Sequence, residues 1–421
     1  MLKNIFKKAL ALILVSVCIF NNGFAYSKDL LSLDSLIEEA RKNNPDILAG
    51  KKRWEASKAR IPQAKSLENP SLGFTLEKIP RGTLKLNKTM PDDRMLSFSQ
   101  FLPLFGKLSL KGKIAVVESQ MFAADYKNTE LEIINQIKNT YYDLFMNYKE
   151  IELKKESLEL LESIAKVAET KYAVGDIAQE EVYKIHSEIA SLNNDIVNLK
   201  EERLAKQTRL NTLLNREPES SLASPDLGEE ITFQKDMKSL YQSTLLNQPE
   251  LIMFSYAVEK NKYAKSLAKR SFFPDLMASI VQRGITSGTI GPWDLMLSFS
   301  LPLWFWTKQR YEVKEAIANL EEAEAAYKAM QNRAFSEVKD LATKIEIAKN
   351  KIRLYKTSLI PILESSIESS IAAFRSGSGD FMMLLDAHRM LVETRMNYYK
   401  ALVEYNMNLA DLERTVGVNL K

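Results

Sequence analysis

Met95-Leu96-Ser97-Phe98-Ser99 recurs letter for letter as Met296-Leu297-Ser298-Phe299-Ser300, 201 residues further along the chain. Outward from this pentapeptide the repetition continues. Asn44-Pro45-Asp46 is matched by Gln248-Pro249-Glu250, and Asn69-Pro70 by Phe273-Pro274, both at an offset of 204. Gly175 returns as Gly377 and His186 as His388, both at 202. Markers in one order, with offsets that drift by only three residues, define a large duplicated supersecondary module.

The pentapeptide belongs to a strand in each copy. Leu96 and Phe98 alternate with Ser97 and Ser99, and Leu295, Leu297, Phe299, Leu301 and Leu303 enclose Ser298 and Ser300. Leu72, Phe74 and Leu76 alternate with Gly73, Thr75 and Glu77, while Leu276, Ala278 and Ile280 share a face opposite Ser279. Strands are therefore predicted at about 71–79, 95–103, 276–284 and 294–303. One greasy and one small or polar side over about ten residues is the dyad pattern of a lipid-facing barrel strand. A single such strand fits an edge hairpin of a soluble domain equally well. Four strands cannot close a barrel, for which about eight is the practical minimum, and an open edge cannot stand in lipid. Several chains must then pool their strands, and three would give twelve.

Between the strands the chain reads as long rods. Gly112 and Gly175 bracket 62 residues without Gly or Pro, enough for a helix of roughly 90 Å. Leu131, Ile134, Ile137, Tyr141, Leu144, Tyr148 and Ile151 step by three and four, as do Leu158, Leu161, Ala165, Ala168 and Tyr172; this is a coiled-coil seam. After Gly175-Asp176 a return helix carries Val182, Ile185, Ile189, Leu192, Ile196 and Leu199. The second copy repeats that seam 202 residues on, at Leu384, Ala387, Leu391, Thr394, Tyr398 and Ala401. Pro361 is expected to kink or interrupt its outgoing helix. The organisation predicted is a signal peptide at 1–25, a first repeat at 26–217 with a helical hairpin at about 113–215 and a tip at 173–180, a linker at 218–228, and a second repeat at 229–421 with a hairpin at about 308–416 and a tip at 375–381.

The signal reading rests on Lys3, Lys7 and Lys8, the apolar run Ala9–Phe20, and the small-x-small site Gly23-Phe24-Ala25. Twelve apolar residues are too few to span a bilayer. Cleavage would remove Cys18, the only cysteine, and lower the formal charge from +4 to +1 by removing three lysines. The mature chain then has no disulfide or thiol chemistry, and its charge is too balanced for a nucleic-acid partner. No run of eighteen apolar residues follows, which excludes helical membrane spans but not barrel strands. No nucleophile elbow, phosphate loop or zinc-protease motif occurs, so neither catalysis nor a cofactor is expected. His186 and His388, each eleven residues past its tip glycine, invite a metal-binding ring of imidazoles. Without neighbouring Cys or carboxylates the simpler reading is one helix-surface histidine copied twice.

These residues resemble the TolC family of outer-membrane efflux proteins over the whole mature chain. The resemblance is carried by Asn69-Pro70 before a strand, Ser99-Gln100 followed by Leu102-Pro103-Leu104-Phe105-Gly106-Lys107, Tyr172 to Gly175, and Gly377 followed by Leu384-Leu385-Asp386. Ile79-Pro80 and the loop 80–94 are most similar to the heavy-metal cation branch. The resemblance implies a mainly α chain with a small β part. Three copies would build a 12-stranded outer-membrane β-barrel on a periplasmic α-helical barrel, docked to a periplasmic adaptor and an inner-membrane RND or ABC pump. It assigns Gly175, Asp176, Gly377, Ser378, Gly379 and Asp380 to adaptor-contacting tips, and Asp386 and Glu181 to an acidic gate. Met383 stands where the best-known members carry a second ring Asp, and Phe374 and Gly379 replace a Tyr and an Arg that latch the closed state there. The alternatives are a type I protein-secretion duct and, in another class, a periplasmic coiled-coil adaptor or scaffold.

Overall fold

The computed structural model describes residues 31–79, 81, 90–227, 233–234, 236–285, 291–376 and 378–420; the signal peptide read at 1–25 lies outside them. The first copy runs α1 (Leu33–Asn43), α2 (Pro45–Lys65), β1 (Ser71–Leu76), β2 (Arg94–Leu102), α3 (Lys107–Ala173) and α4 (Gln179–Leu213). The second runs α5 (Met237–Asn247), α6 (Pro249–Arg270), β3 (Asp275–Arg283), β4 (Trp293–Ser300), α7 (Gln309–Leu354), a π-helical turn (Tyr355–Leu359), α8 (Ile360–Ser376) and α9 (Phe381–Val416). Among the described residues no helix is long and apolar enough to cross a membrane.

The Asn-Pro-Asp marker starts a helix for a physical reason. Pro45 fits the first helical position, and the Asn44 side chain accepts from the backbone N–H groups of Asp46 and Ile47. Gln248 and Pro249 repeat the geometry for α6 without the side-chain cap.

The four strands form one antiparallel sheet in the order β1-β2-β3-β4. Ser71 faces Ser99 in the first hairpin, and its counterparts Asp275 and Ser300 face each other in the second, so the duplication preserves strand register residue for residue. Pairing puts Leu72, Phe74 and Leu76 beside Phe98 and Leu96, then Ile280 and Leu276, then Leu295, Leu297 and Phe299. The opposite face carries Ser71, Gly73, Ser97, Ser99, Ser279, Ser298 and Ser300. There Ser279 Oγ donates to Ser99 Oγ, and a Cβ on Gly73 would lie 2.6 Å from Ser97 Oγ. The apolar face is exposed on every strand, Leu72 at 72% and Leu295 at 68%. β2 and β3 have the predicted length, shifted by one residue, whereas β1 and β4 are shorter than predicted. β1 stops at Leu76 because Lys78 adopts a positive φ of 49°, and β4 stops at Ser300 because Pro302 has no donor to offer a ladder.

α3 is one continuous helix of 67 residues, about 100 Å at the usual rise. It begins at Lys107 and runs through Gly112, which sequence reading took as its boundary. A Cβ on Gly112 would lie 2.5 Å from Lys65 Cγ, so this glycine admits the end of α2. Ile137, Leu144, Ile151, Leu161 and Ala168 of the seam are buried. α3 packs on α4 within its copy and on α9 and α6 of the other, and α7 packs on α9. The segment after α4 is pinned: Asn211 Nδ2 donates to the carbonyls of Pro218 and Ser220, and Tyr141 Oη to that of Asp226. A half-buried ion pair joins the copies at the sheet base, where Lys107 Nζ lies 2.7 Å from Asp275 Oδ2 and donates to the Phe273 carbonyl.

The π turn explains the last step in the drift of the repeat offset, from 201 to 202. Buried Ile137, Leu144 and Ile151 correspond to buried Val338, Ile345 and Ile352 at 201. Beyond the turn, Ala165 and Ile367 correspond at 202. One inserted residue in an α-helix would rotate everything after it by about 100°. A single wide turn, in which the Ile360 N–H reaches the Tyr355 carbonyl, absorbs it. The interruption expected at Pro361 thus falls just before it, where a wide turn also relieves the clash of a proline ring with the preceding turn. Deleting Thr357 together with Pro361→Ala should therefore leave thermal stability within about 1 kcal/mol of the parent. Deleting Ala342 should displace Ile345, Ala348 and Ile352 from the core at about 2–5 kcal/mol per large side chain. Equal losses in a melting experiment would refute this account of the turn.

Candidate functional site

At the far end of α3 the helix stops on Gly175, whose φ of +81° only glycine adopts cheaply. The Gly175 N–H donates to the Tyr172 carbonyl and the Asp176 N–H to that of Lys171, the paired bonds of a glycine C-cap. Asp176 itself is exposed. At the other tip Gly377 lies outside the described residues. Ser378 and Gly379 both donate from their N–H groups to the Ala373 carbonyl. Gly379 has no positive φ; its need is space, since a Cβ there would lie 2.9 Å from Ala373 Cβ and 3.0 Å from Phe374 N. Asp380 caps α9 by accepting from the Met382 N–H.

The tips share an apolar core. Phe374 and Phe381 are fully buried, with ring centroids 6.1 Å apart, among Leu384, Leu385, Ile185 and Ala168. Lys171 of the first hairpin donates to the Phe374 carbonyl at 2.7 Å and places its ammonium 4.9 Å from the Phe374 ring. Phe374 is thus a packing group joining both hairpins. Sequence reading missed Lys171 and Phe381, because only the fold brings α3 against α8 and α9.

Ion pairs lie next to this core. Arg389 of α9 makes a two-pronged contact with Glu188 of α4, at 2.6 and 3.2 Å. The Glu188 carboxylate holds the Arg389 guanidinium above its ordinary pKa. Arg395 joins Glu364 and Glu156. Asp386 is exposed one turn before Arg389. Glu181, half-buried in the first turn of α4, lies beside the Glu180–Lys184 pair. Among the described residues no hydrogen bond joins Asp386 to Glu181.

The two histidines have parted company. His186 is exposed and pairs with Glu169 at 3.0 Å. His388, expected on a helix surface, is buried: its Nε2 lies 2.6 Å from Ser157 Oγ of α3, and its Nδ1 is buried without a partner. Burial lowers its pKa, Glu188 raises it and Arg395 lowers it. The difference arises because α9 is covered by α3, whereas the corresponding face of α4 is open. Among the described residues no three His, Asp, Glu or Cys side chains gather to hold a metal ion.

The chain matches the family described as outer membrane efflux protein twice, over residues 36–216 and 240–418. It is 19% identical to the cobalt-zinc-cadmium resistance protein CzcC of Cupriavidus metallidurans, over 92% of this chain and 90% of that one. It is 22% identical to toxin and drug export protein A of Aggregatibacter actinomycetemcomitans, over 76% of this chain and 71% of the relative. Its fold is similar to the crystal structure of the outer membrane protein VceC from Vibrio cholerae, with a TM-score of 0.78 and 18% identity over 92% of this chain and 97% of VceC. With the two matched segments covering nearly everything after residue 35, the chain belongs to the outer membrane efflux protein family.

Proposed function

We propose that this chain is the passive exit duct of a tripartite efflux system that carries heavy-metal cations or drugs across the outer membrane. The observation that carries this reading is the sheet. One apolar face is exposed, a row of serines with Gly73 marks the opposite face, and the ladder ends at two edges, β1 and β4, with no partner among the described residues. Such edges cannot remain open in lipid. Three copies would close them into twelve strands and bring their helical hairpins together into a periplasmic tunnel. The tips at Gly175–Asp176 and 377–380 would meet the periplasmic adaptor, and an inner-membrane RND or ABC pump would supply energy and direction. Opening would separate the shared core around Phe374 and Phe381 and the Arg389–Glu188 pair, while Asp386 from each copy would line the constriction and attract cations. The name of the relative CzcC favours metal cations as cargo. That of toxin and drug export protein A keeps drug efflux, and a type I secretion duct, as the second reading.

Growth of a deletion strain against transition metals, dyes and antibiotics tests the cargo. Sensitivity confined to metals is expected; sensitivity to dyes and antibiotics alone would assign a multidrug duct. In planar bilayers Asp386→Ala should weaken block by divalent cations several-fold, and unchanged block would sink the acidic-ring reading. Leu297→Arg, on the lipid face, should cost about 2–4 kcal/mol of barrel stability, whereas Ser298→Arg on the opposite face should cost far less. Equal losses of heat-resistant oligomer on gels would contradict that assignment of faces.

A further inference from the structure

The methionines of this chain are sorted by face. Within the four strands they occur at Met95, Met277 and Met296. All three stand on the serine face: Met277 pairs with Ser298, Met296 with Ser279, and Met95 alternates with Leu96 on the side of Ser97. None stands on the apolar face with Leu72, Phe98, Ile280 and Leu297. Met277 and Met296 are both exposed, and as diagonal neighbours on adjacent strands they lie about 7–8 Å apart, within reach of long side chains. At the tips α9 divides its methionines in the same way. Met382 packs against the shared core, whereas Met383 and Met390 are exposed at 68% and 55%. Met383, Asp386 and Met390 step by three and four, so they share one stripe of the helix. Phe381, Leu384, Leu385, His388 and Leu391 are buried on the other side. The helical rise puts Asp386 about 4.5 Å beyond Met383 along the axis, and Met390 about 6 Å beyond Asp386.

We propose that Met383, Asp386 and Met390 from each copy form a resting site for soft monovalent cations, Cu(I) or Ag(I), with Met277 and Met296 as a second thioether pair further along the duct. The proposal rests on the duct reading above, in which the Asp386 stripe and the serine face look into the water-filled path. Thioether sulfur is a soft ligand that selects Cu(I) over hard divalent ions. It is also neutral, so a carboxylate must supply the compensating charge, and Asp386 stands between the two sulfurs of its stripe. Three copies around one axis would present a ring of Met383 sulfurs, a ring of Asp386 carboxylates and a ring of Met390 sulfurs in succession. Rings spaced by a few ångströms allow an ion to be held and passed on, since conduction needs binding that is favourable but weak and repeated. Imidazole takes no part, because His388 on the same helix is buried against Ser157. Nor does thiol, because Cys18, the only cysteine, lies in the expected signal peptide.

The test is block of ionic current by silver nitrate in planar bilayers bathed in potassium nitrate, with magnesium nitrate as the hard-cation probe. Leucine conserves the volume of methionine, so Met383→Leu/Met390→Leu keeps the fold while removing both sulfurs. It should weaken silver block at least about tenfold, as loss of coordinating groups does, and leave magnesium block in place. Met382→Leu, within the packed core, should leave silver block unchanged. X-ray absorption at the silver edge should show sulfur neighbours in the parent oligomer and lose them in the double variant. If the double variant keeps full silver block and Asp386→Ala abolishes block by both ions, the soft site is overturned and the acidic duct stands. If silver binds with nitrogen or oxygen neighbours alone, the soft site is overturned as well. If the assembled parent passes no current, the duct reading falls and the proposal with it.

Discussion

Everything in this molecule follows from the rule that a backbone donor or acceptor cannot be left unpaired in hydrocarbon. The sheet satisfies it internally across β1-β2-β3-β4 and violates it at two edges. An apolar face of this extent would be a liability on a soluble protein. It becomes sensible only when other copies complete the ladder and lipid covers the outside. The helical part obeys a gentler rule, since water satisfies its exposed groups, and it is correspondingly polar outside a narrow seam. The chain thus carries two solvents in its sequence, with period two where it meets lipid and period three to four where it meets water and itself.

Much of this was legible before any coordinates. The strand faces could be read because alternation has no other economical explanation, and the structure pairs those residues in one register across four strands. The seam of α3 could be read because a glycine- and proline-free stretch with steps of three and four buries one stripe. Boundaries were harder. Gly112 resembles a breaker, but a glycine can serve close approach as readily as a turn, and only the position of Lys65 reveals which. Lys78 ends β1 through a left-handed conformation that nothing in its chemistry announces.

The tip region was half legible. Turn glycines and a capping Asp are local signals, and Gly175 and Asp380 occupy the positions their chemistry suggests. What holds the hairpins to each other is not local. Lys171 with Phe374, Arg389 with Glu188, and Ser157 with His388 are each separated by some two hundred residues or more. Two histidines at equivalent sequence positions suggested equivalent surroundings. Burial on α9 but not on α4 shows that a duplicated module diverges first where its copies meet different neighbours.

The wide turn at Tyr355–Leu359 gives the duplicated rods unequal mechanics. α3 carries an unbroken ladder from sheet to tip and bends only as a whole, like a mast. Its counterpart is jointed about two-thirds of the way along, where the ladder is loosest and Pro361 withholds a strut. A sideways load on both tips would be returned elastically by the first and taken up as an angle by the second. A ring of such chains would alternate stiff and articulated staves, and would yield by folding at every second one, not by dilating evenly.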